Sequence, residues 1–338
     1  MREFTQKLLD GQNLTPDEAA EAMHTIMSGN ASDVQIAGFL IALRCKGETP
    51  DEIASMVKVM REFAESIHPK VRGTLVDTCG TGGDLLKTFN VSTASMFVVA
   101  GAGVPVAKHG NRSVSSQCGS ADVLEELGVK VDLEPKKVEK CIEKVGVGFM
   151  FAPVFHKAMK YVMPARKQLG VRTIFNVLGP LTNPANAKGQ VVGVFDEKLT
   201  EKLANVLNLV GLDRAYVVHG IDGLDEFSTL GKTRVAELRD GEIKTYYLTP
   251  EKVGLKKAKH SDLAGGDRKA NALILKNILE GTEKGPKRDI VLLNSAAGIV
   301  VGQKADTIKE GIETAKESID TGKAKKKLDE LIAYTQRK

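Results

Sequence analysis

Residues 75–84 read Leu75-Val76-Asp77-Thr78-Cys79-Gly80-Thr81-Gly82-Gly83-Asp84, an apolar strand running into three glycines within four positions. Glycines let a backbone turn sharply and offer bare N–H groups to an anion. A tight turn alone would also explain them. The stretch is not the dinucleotide fingerprint, because Leu85 stands where G-x-G-x-x-G needs its third glycine. The next residues favour an anion. Asn90-Val91-Ser92-Thr93 opens an apolar helix, and a helix N-terminus presents free N–H groups and the positive end of its dipole to phosphate. Ordinary N-capping by Asn90 or Ser92 explains one hydroxyl there but not the cluster. A strand at Val104–Ala107 then delivers Lys108-His109-Gly110-Asn111-Arg112-Ser113-Val114-Ser115-Ser116, which holds two cations, an imidazole and three hydroxyls. A charged run is usually a solvated face. This one follows directly on a buried strand and reads as a second anion cradle.

Strand expectations continue with Thr74–Asp77, Gln190–Phe195, Arg214–Val218 and Ile290–Leu293, and helices fall between them, for example at Thr93–Ala100 and Glu197–Val210. Strands alternating with helices predict a largely parallel sheet covered on both faces. The first 68 residues are instead helical throughout. Thr15-Pro16-Asp17-Glu18, Ser32-Asp33-Val34-Gln35 and Thr49-Pro50-Asp51-Glu52 each form a capping box, two of them with proline at the first helical position. The two Thr-Pro-Asp-Glu copies stand 34 residues apart, a tetratricopeptide period, but the sequence between them does not repeat. The expected fold is α/β: a small all-helical N-terminal subdomain over 1–70, joined by part of 162–184, and a larger α/β domain over 73–161 and 185–338 with a mostly parallel central sheet. The tail from Asp306 is an amphipathic helical pattern, with Lys323–Lys327 on a solvated face.

The chain has 338 residues, 42% hydrophobic and 27% charged, with a net charge of +5. That length supplies a large core without disulfides or a structural metal. The charge is too small for nucleic acid to be implied. The four cysteines, Cys45, Cys79, Cys118 and Cys141, show no C-x-x-C pair, which suits free thiols in a reducing cytosol. The longest uncharged apolar stretch, Met96 to Ala107, spans 12 residues, and a bilayer needs about 20. The start of the chain carries no apolar h-region. A soluble cytoplasmic protein is expected.

A third element is Asp225-Glu226, after the strand that ends near Val218-His219-Gly220. Two adjacent carboxylates in a loop can face one cation, and beside phosphate loops they suggest Mg²⁺, which binds through one or two carboxylates and keeps several waters. Alone they would be solvated surface acids. Gly231-Lys232-Thr233 is not a P-loop, since Glu226 occupies the place of its first glycine. The residues by themselves thus define a site for a substrate with more than one phosphate group, and a divalent metal.

These motifs resemble the anthranilate phosphoribosyltransferases over essentially the whole chain and in order. The resemblance is carried by DTCGTGGD at 77–84, TFNVSTA at 88–94, VAKHGNRSVSSQCGSADVLEELG at 106–128, RKQLGVRTIFNVLGPLTNP at 166–184, GLDEFS at 223–228 and DLAGGD at 262–267. Pyrimidine nucleoside phosphorylases share the fold but approach the first loop with a Lys-His-Ser-type stretch, where this chain has Asp77-Thr78-Cys79. The resemblance implies transfer of the phosphoribosyl group of phosphoribosyl pyrophosphate (PRPP) to the amine of anthranilate, releasing pyrophosphate, in tryptophan biosynthesis. It implies that the donor meets Gly80, Gly83, Asp84, Thr88, Asn90, Val91, Ser92, Thr93, the run Lys108 to Ser116, and Ser120. Ser92, Asp225 and Glu226 would hold Mg²⁺, and Gly80, Asn111 and Arg166 would meet anthranilate. His109 is an open choice between receiver of a late proton and structural imidazole. A homodimer through the helical subdomain, with the site at the hinge, is also implied. Leu85 departs from the family, which often has glycine there. Two other readings remain, a nucleoside phosphorylase-like enzyme and a non-catalytic nucleic-acid-binding relative. The latter predicts a more basic chain without the carboxylates.

Overall fold

The computed structural model describes residues 1–82, 86, 88–113 and 118–337. Four helices come first: α1 (Arg2–Leu9), α2 (Pro16–Met27), α3 (Asp33–Lys46) and α4 (Pro50–Glu62). All three capping boxes form, with Thr15, Ser32 and Thr49 accepting from the backbone N–H three residues on and the side chains of Glu18, Gln35 and Glu52 returning the bond. The α/β part then runs β1 (Val76–Gly80), α5 (Val91–Gly101), β2 (Val106–Gly110), α6 (Ser120–Glu126), α7 (Pro135–Val145) and β3 (Val147–Phe151). A one-turn α8 (Ala152–Phe155), α9 (Met163–Leu169) and α10 (Phe175–Leu181) lead back to β4 (Gly189–Gly193), α11 (Leu199–Leu209) and β5 (Arg214–Gly220). A hairpin of β6 (Thr233–Arg239) and β7 (Glu242–Leu248) follows, then α12 (Arg268–Leu279), α13 (Pro286–Val301), α14 (Ile308–Asp320) and α15 (Lys323–Thr335).

Among the described residues the strands form one sheet in the order β3-β2-β1-β4-β5-β6-β7. The first five are mutually parallel, and β6 and β7 join antiparallel. Alternation along each strand feeds two cores. Val191, Tyr216 and Val218 pack with α5 and α13 on one face. Val192, Val194, Ala215 and Val217 pack on the other face in a core that is continuous with α1–α4, α9 and α10. From the 162–184 segment, Val162, Ala165, Phe175 and Leu178 lie in this same core.

Two expectations need correction. Ile290–Leu293 is not a strand but lies inside α13, where all four side chains are buried. A helix buried on every side shows no polar stripe, so its apolar run cannot be told from a strand by period. The strands expected at Thr74–Asp77 and Val104–Ala107 start and end later, so Gly80, Lys108, His109 and Gly110 sit on strand ends rather than in loops. That makes their positions more rigid. In α15, Lys323, Lys325, Lys326 and Lys327 pair with Glu317, Asp329 and Glu330, as a solvated face should.

Candidate active site

Strand order reverses between β1 and β4. The chain moves outward through β2 and β3 on one side, and through β5 on the other. Parallel sheets bind ligands outside the carboxyl ends of the strands at such a switch point. Here Gly80 closes β1, Gly193 closes β4, and the two are paired in register. The Thr81 N–H donates to the Gly193 carbonyl at 2.8 Å as the first loop leaves. The segment after β5 then crosses both strand ends. A Cβ on Gly80 would lie 2.7 Å from Asp225 Oδ2, and one on Gly193 would lie 1.4 Å from the Asp225 carbonyl oxygen. Bare strand ends are what admit the carboxylate segment.

That segment is held firmly. Phe227 is buried, and Asn294 of α13 grips its backbone twice, accepting from the Phe227 N–H and donating to its carbonyl, both at 2.9 Å. The Ser228 hydroxyl donates to Asp222 at 2.6 Å. So fixed, Asp225 Oδ2 accepts from the Gly82 N–H at 2.8 Å, and Glu226 Oε1 accepts from the Ser92 N–H at 3.2 Å. The second bond falls in the first turn of α5. Asn90 stands at its N-cap without a capping side-chain bond, so the helix end is open to an acidic oxygen. Thr93 is buried, and its hydroxyl has no hydrogen-bond partner among the described residues.

Lys108 completes the cluster. It is 1% exposed, and its Nζ donates to Ser92 Oγ at 3.2 Å and to the Thr78 carbonyl. Among the described residues no carboxylate stands within ion-pairing distance of it. A buried ammonium held by neutral oxygens is poorly compensated and leaves a place for an anion.

His109, next on β2, faces the other way. Its Nδ1 meets the Gly179 carbonyl of α10 at 3.1 Å, and its ring lies 4.9 Å from that of His156. Burial first, then the neighbouring His156, drives the His109 imidazole down to about 3, and burial takes His156 to about 4. Both rings are neutral near pH 7. A carbonyl only accepts, so Nδ1 carries the His109 proton and Nε2, buried and without a partner among the described residues, offers a lone pair. Beneath them lies Asp77, fully buried, which accepts from the His109 N–H at 3.2 Å, from Asn183 Nδ2 at 2.7 Å and from Gln190 Nε2 at 3.5 Å. Burial pushes the Asp77 carboxyl up to about 6, against the pull of nearby Lys108.

Of the residues expected from sequence, Ser92, Lys108, Asp225 and Glu226 are joined by hydrogen bonds at the switch point, with Gly80 against Asp225. Arg166 is on α9, its guanidinium 5.6 Å over the Phe175 ring and 4.0 Å from Met163 Sδ. Among the described residues no carboxylate pairs with it. Arg112 points away from the cluster, pairing with Glu125 and, at 3.4 Å, with Asp122. Its guanidinium is thus committed to α6. Val91 is buried and offers only backbone, Thr88 bridges to Ala264, and Asn111 holds the Ala121 N–H at 3.2 Å, beside Ser120 at the start of α6. Gly83, Asp84, Leu85, Val114, Ser115 and Ser116 lie outside the described residues. Gly193, Asp77, Asn183, Gln190 and Asn294 were not anticipated.

A helical bundle beside a parallel sheet, with an anion-seeking rim at its switch point, is the architecture of a class of glycosyl transferases. Residues 2–64 match the glycosyl transferase family helical bundle domain, and residues 72–325 match the glycosyl transferase family a/b domain. The chain is 56% identical over 335 residues to the anthranilate phosphoribosyltransferase of Acetivibrio thermocellus, covering 99% of this chain and 96% of the relative. It superposes on the crystal structure of the Thermus thermophilus anthranilate phosphoribosyltransferase with a TM-score of 0.93 at 45% identity, covering 99% of both chains. The Saccharomyces cerevisiae anthranilate phosphoribosyltransferase in complex with PRPP and Mg gives 0.89 at 31% identity, covering 98% of this chain and 97% of that one. The chain belongs to the anthranilate phosphoribosyltransferase family, pentosyltransferases of tryptophan biosynthesis.

Proposed function

We propose that this site performs its family's reaction, passing the phosphoribosyl group of PRPP to the amine of anthranilate, with the strand-end cluster as its donor and metal site. The observation that carries the assignment is the hydrogen-bonded chain from Gly82 through Asp225 and from Glu226 through Ser92 to Lys108. Gly80, Gly83, Asp84, Thr88, Asn90 to Thr93, Lys108 to Ser116 and Ser120 form the donor site in this reading. Arg112 serves it through its backbone. Ser92, Asp225 and Glu226 are all hard oxygen donors, which fits Mg²⁺. Among the described residues no three or more His, Cys, Asp or Glu gather into a metal cage. Two carboxylates with substrate phosphates suit Mg²⁺ better than such a cage. Mg²⁺ when bound supplies positive charge to the pyrophosphate.

The nitrogen of anthranilate forms a bond to the anomeric carbon while the bond to pyrophosphate breaks, and the electron pair leaves with the phosphate oxygen. An aromatic amine is already neutral at pH 7, so no proton need be removed before attack. Lys108 and the backbone N–H groups stabilise the departing negative charge. Arg166, free of any acidic partner among the described residues, grips the anthranilate carboxylate with its planar fork, and Asn111 and Gly80 complete the acceptor site. After bond formation the nitrogen is a strongly acidic arylammonium, so even the weakly basic Nε2 of His109 suffices to accept its proton.

The chain divides at the boundaries given above, in keeping with the two matched family segments. A homodimer through the helical part is supported by Leu9 and Val34, 65% and 82% exposed, which line one surface hollow. A cytoplasmic location accords with cysteines that form no disulfide among the described residues. The central test replaces Asp225 and Glu226 together by alanine. Transfer, followed as loss of anthranilate fluorescence, should fall by more than about a hundredfold with the circular dichroism unchanged. Near-normal rates across a Mg²⁺ titration would refute the metal assignment.

A further inference from the structure

The segment from His260 to Asn271 has no part in the chemistry above, yet it runs alongside the first donor loop. The His260 ring nitrogen Nε2 meets the Leu86 carbonyl at 3.2 Å, and Ala264 bridges antiparallel to Thr88. Gly265 packs so closely that a Cβ would lie 2.7 Å from the Phe89 nitrogen and 2.8 Å from the Thr88 carbonyl oxygen. Lys287 of α13 anchors the segment, donating to the Asp262 carbonyl at 2.6 Å. Asp267 caps α12 by accepting from the Ala270 N–H at 2.8 Å.

Asn271, on the first turn of α12 and 2% exposed, ends the run. Its Oδ1 accepts from the Gly266 N–H at 2.8 Å, which forces its Nδ2 toward Asn90 Oδ1, 3.1 Å away. Asn90 must then turn its own Nδ2 to the Cys118 carbonyl, at 3.0 Å. Each amide therefore has one allowed orientation. The relay crosses from α12 to the start of α5 and on to the second donor loop.

It also explains an oddity at α5. Asn90 is a preferred N-cap residue in N-cap position, yet its side chain does not cap the helix. The bonds to Asn271 and Cys118 draw it sideways, so that the Ser92 N–H goes to Glu226 and the Thr93 N–H is left uncapped by Asn90. We propose that Asn271 is a positioning residue for PRPP, holding Asn90 off the helix end and tying the start of α5 to Cys118. The inference rests on the donor-site reading above.

The test compares Asn271→Ala and the isosteric Asn271→Asp with wild type. The Asp variant can still accept from Gly266 but confronts Asn90 Oδ1 with a second oxygen. Freed from Asn271, Asn90 can fall back to cap α5 and compete with phosphate. The expected result is a KM for PRPP raised about tenfold, the size of losing one buried hydrogen bond. The KM for anthranilate at saturating PRPP should stay within about twofold of wild type, although Asn271→Ala, which leaves the Gly266 N–H without its buried acceptor, lowers the unfolding temperature. Gly265→Ala, which pushes on the Thr88–Phe89 backbone, should shift PRPP in the same direction. Weakening of both substrates together would mark a merely structural Asn271, and that result overturns the proposal, as does an unchanged KM for PRPP in Asn271→Asp. Wild type in the same assay checks the reading beneath it. No transfer by wild type refutes the donor site itself, whereas normal wild-type transfer with unaltered variants refutes only the role of Asn271.

Discussion

Replacing Asp77 by Asn should change stability in a way that depends on pH, and the sign follows from the structure. A carboxyl raised from 3.8 to about 6 by burial holds its proton longer in the folded state than in the unfolded one. Folded Asp77 is therefore most favourable at low pH, and the advantage is lost as pH rises through about 6, by about 3 kcal/mol in full. Roughly half of that change, about 1.4 kcal/mol, falls between pH 5 and 7.5. The Asn variant lacks this titration but meets another cost. Every near neighbour of the carboxylate is a donor, and Asn183 cannot flip to help because its Nδ2 also donates to the Ala107 carbonyl at 2.9 Å and its Oδ1 accepts from the Ala185 N–H at 2.9 Å. One amide N–H group must point at another donor, costing about 1–3 kcal/mol at any pH. The variant should be clearly less stable than wild type at pH 5 and close to it at pH 7.5, measured by urea unfolding at a series of pH values. A difference that is flat with pH, or that grows as pH rises, would mean that the donors outweigh burial and that Asp77 is an ordinary or depressed carboxylate.

Arg166→Lys keeps the charge but removes the fork. It should weaken anthranilate use by about 1–3 kcal/mol with PRPP affinity nearly unchanged, and calorimetry showing equal losses for both substrates would contradict the assignment. Val34→Asp places a charge on the exposed helical face. If that face is the dimer contact, sedimentation should show a monomer, and an unaltered particle size would exclude it.

How far the site was legible depended on sequence distance. The capping boxes act over four residues, and each formed as read. The glycine loop, the opening of α5 and the end of β2 are contiguous runs, and their described residues do converge. The supports were not legible, because their partners are remote: Asn183 lies 106 residues from Asp77, Asn294 lies 67 from Phe227, and Asn271 lies 181 from Asn90. Nothing local distinguishes such an asparagine from a surface one. The β6–β7 hairpin, by contrast, carried an Asp240-Gly241 signal that the reading passed over, and both residues take positive φ, 52° and 87°. In α13 the failure was different in kind, since complete burial erases the periodicity that sequence reading depends on.

The same burial explains why this rim can be a precise electrostatic device. A site that stabilises a departing diphosphate needs donors that do not reorganise during the reaction. Here the cation is on a strand, the helix end rises directly behind it, and the carboxylate segment is pinned by Phe227 and Asn294 rather than left as a surface loop. Gly80 and Gly193 are the geometric condition for this. Any side chain at either strand end would occupy space taken by Asp225, lifting both carboxylates away from Gly82 and Ser92. The proposed acceptor half is arranged differently, with neutral histidines beside α10 and, on α9, an arginine that has no acidic partner among the described residues. In the proposed assignment Lys108 and the carboxylates thus gather where the leaving group would be held, while the imidazoles beside the amine stay neutral, a separation that suits a neutral nucleophile displacing a highly charged leaving group.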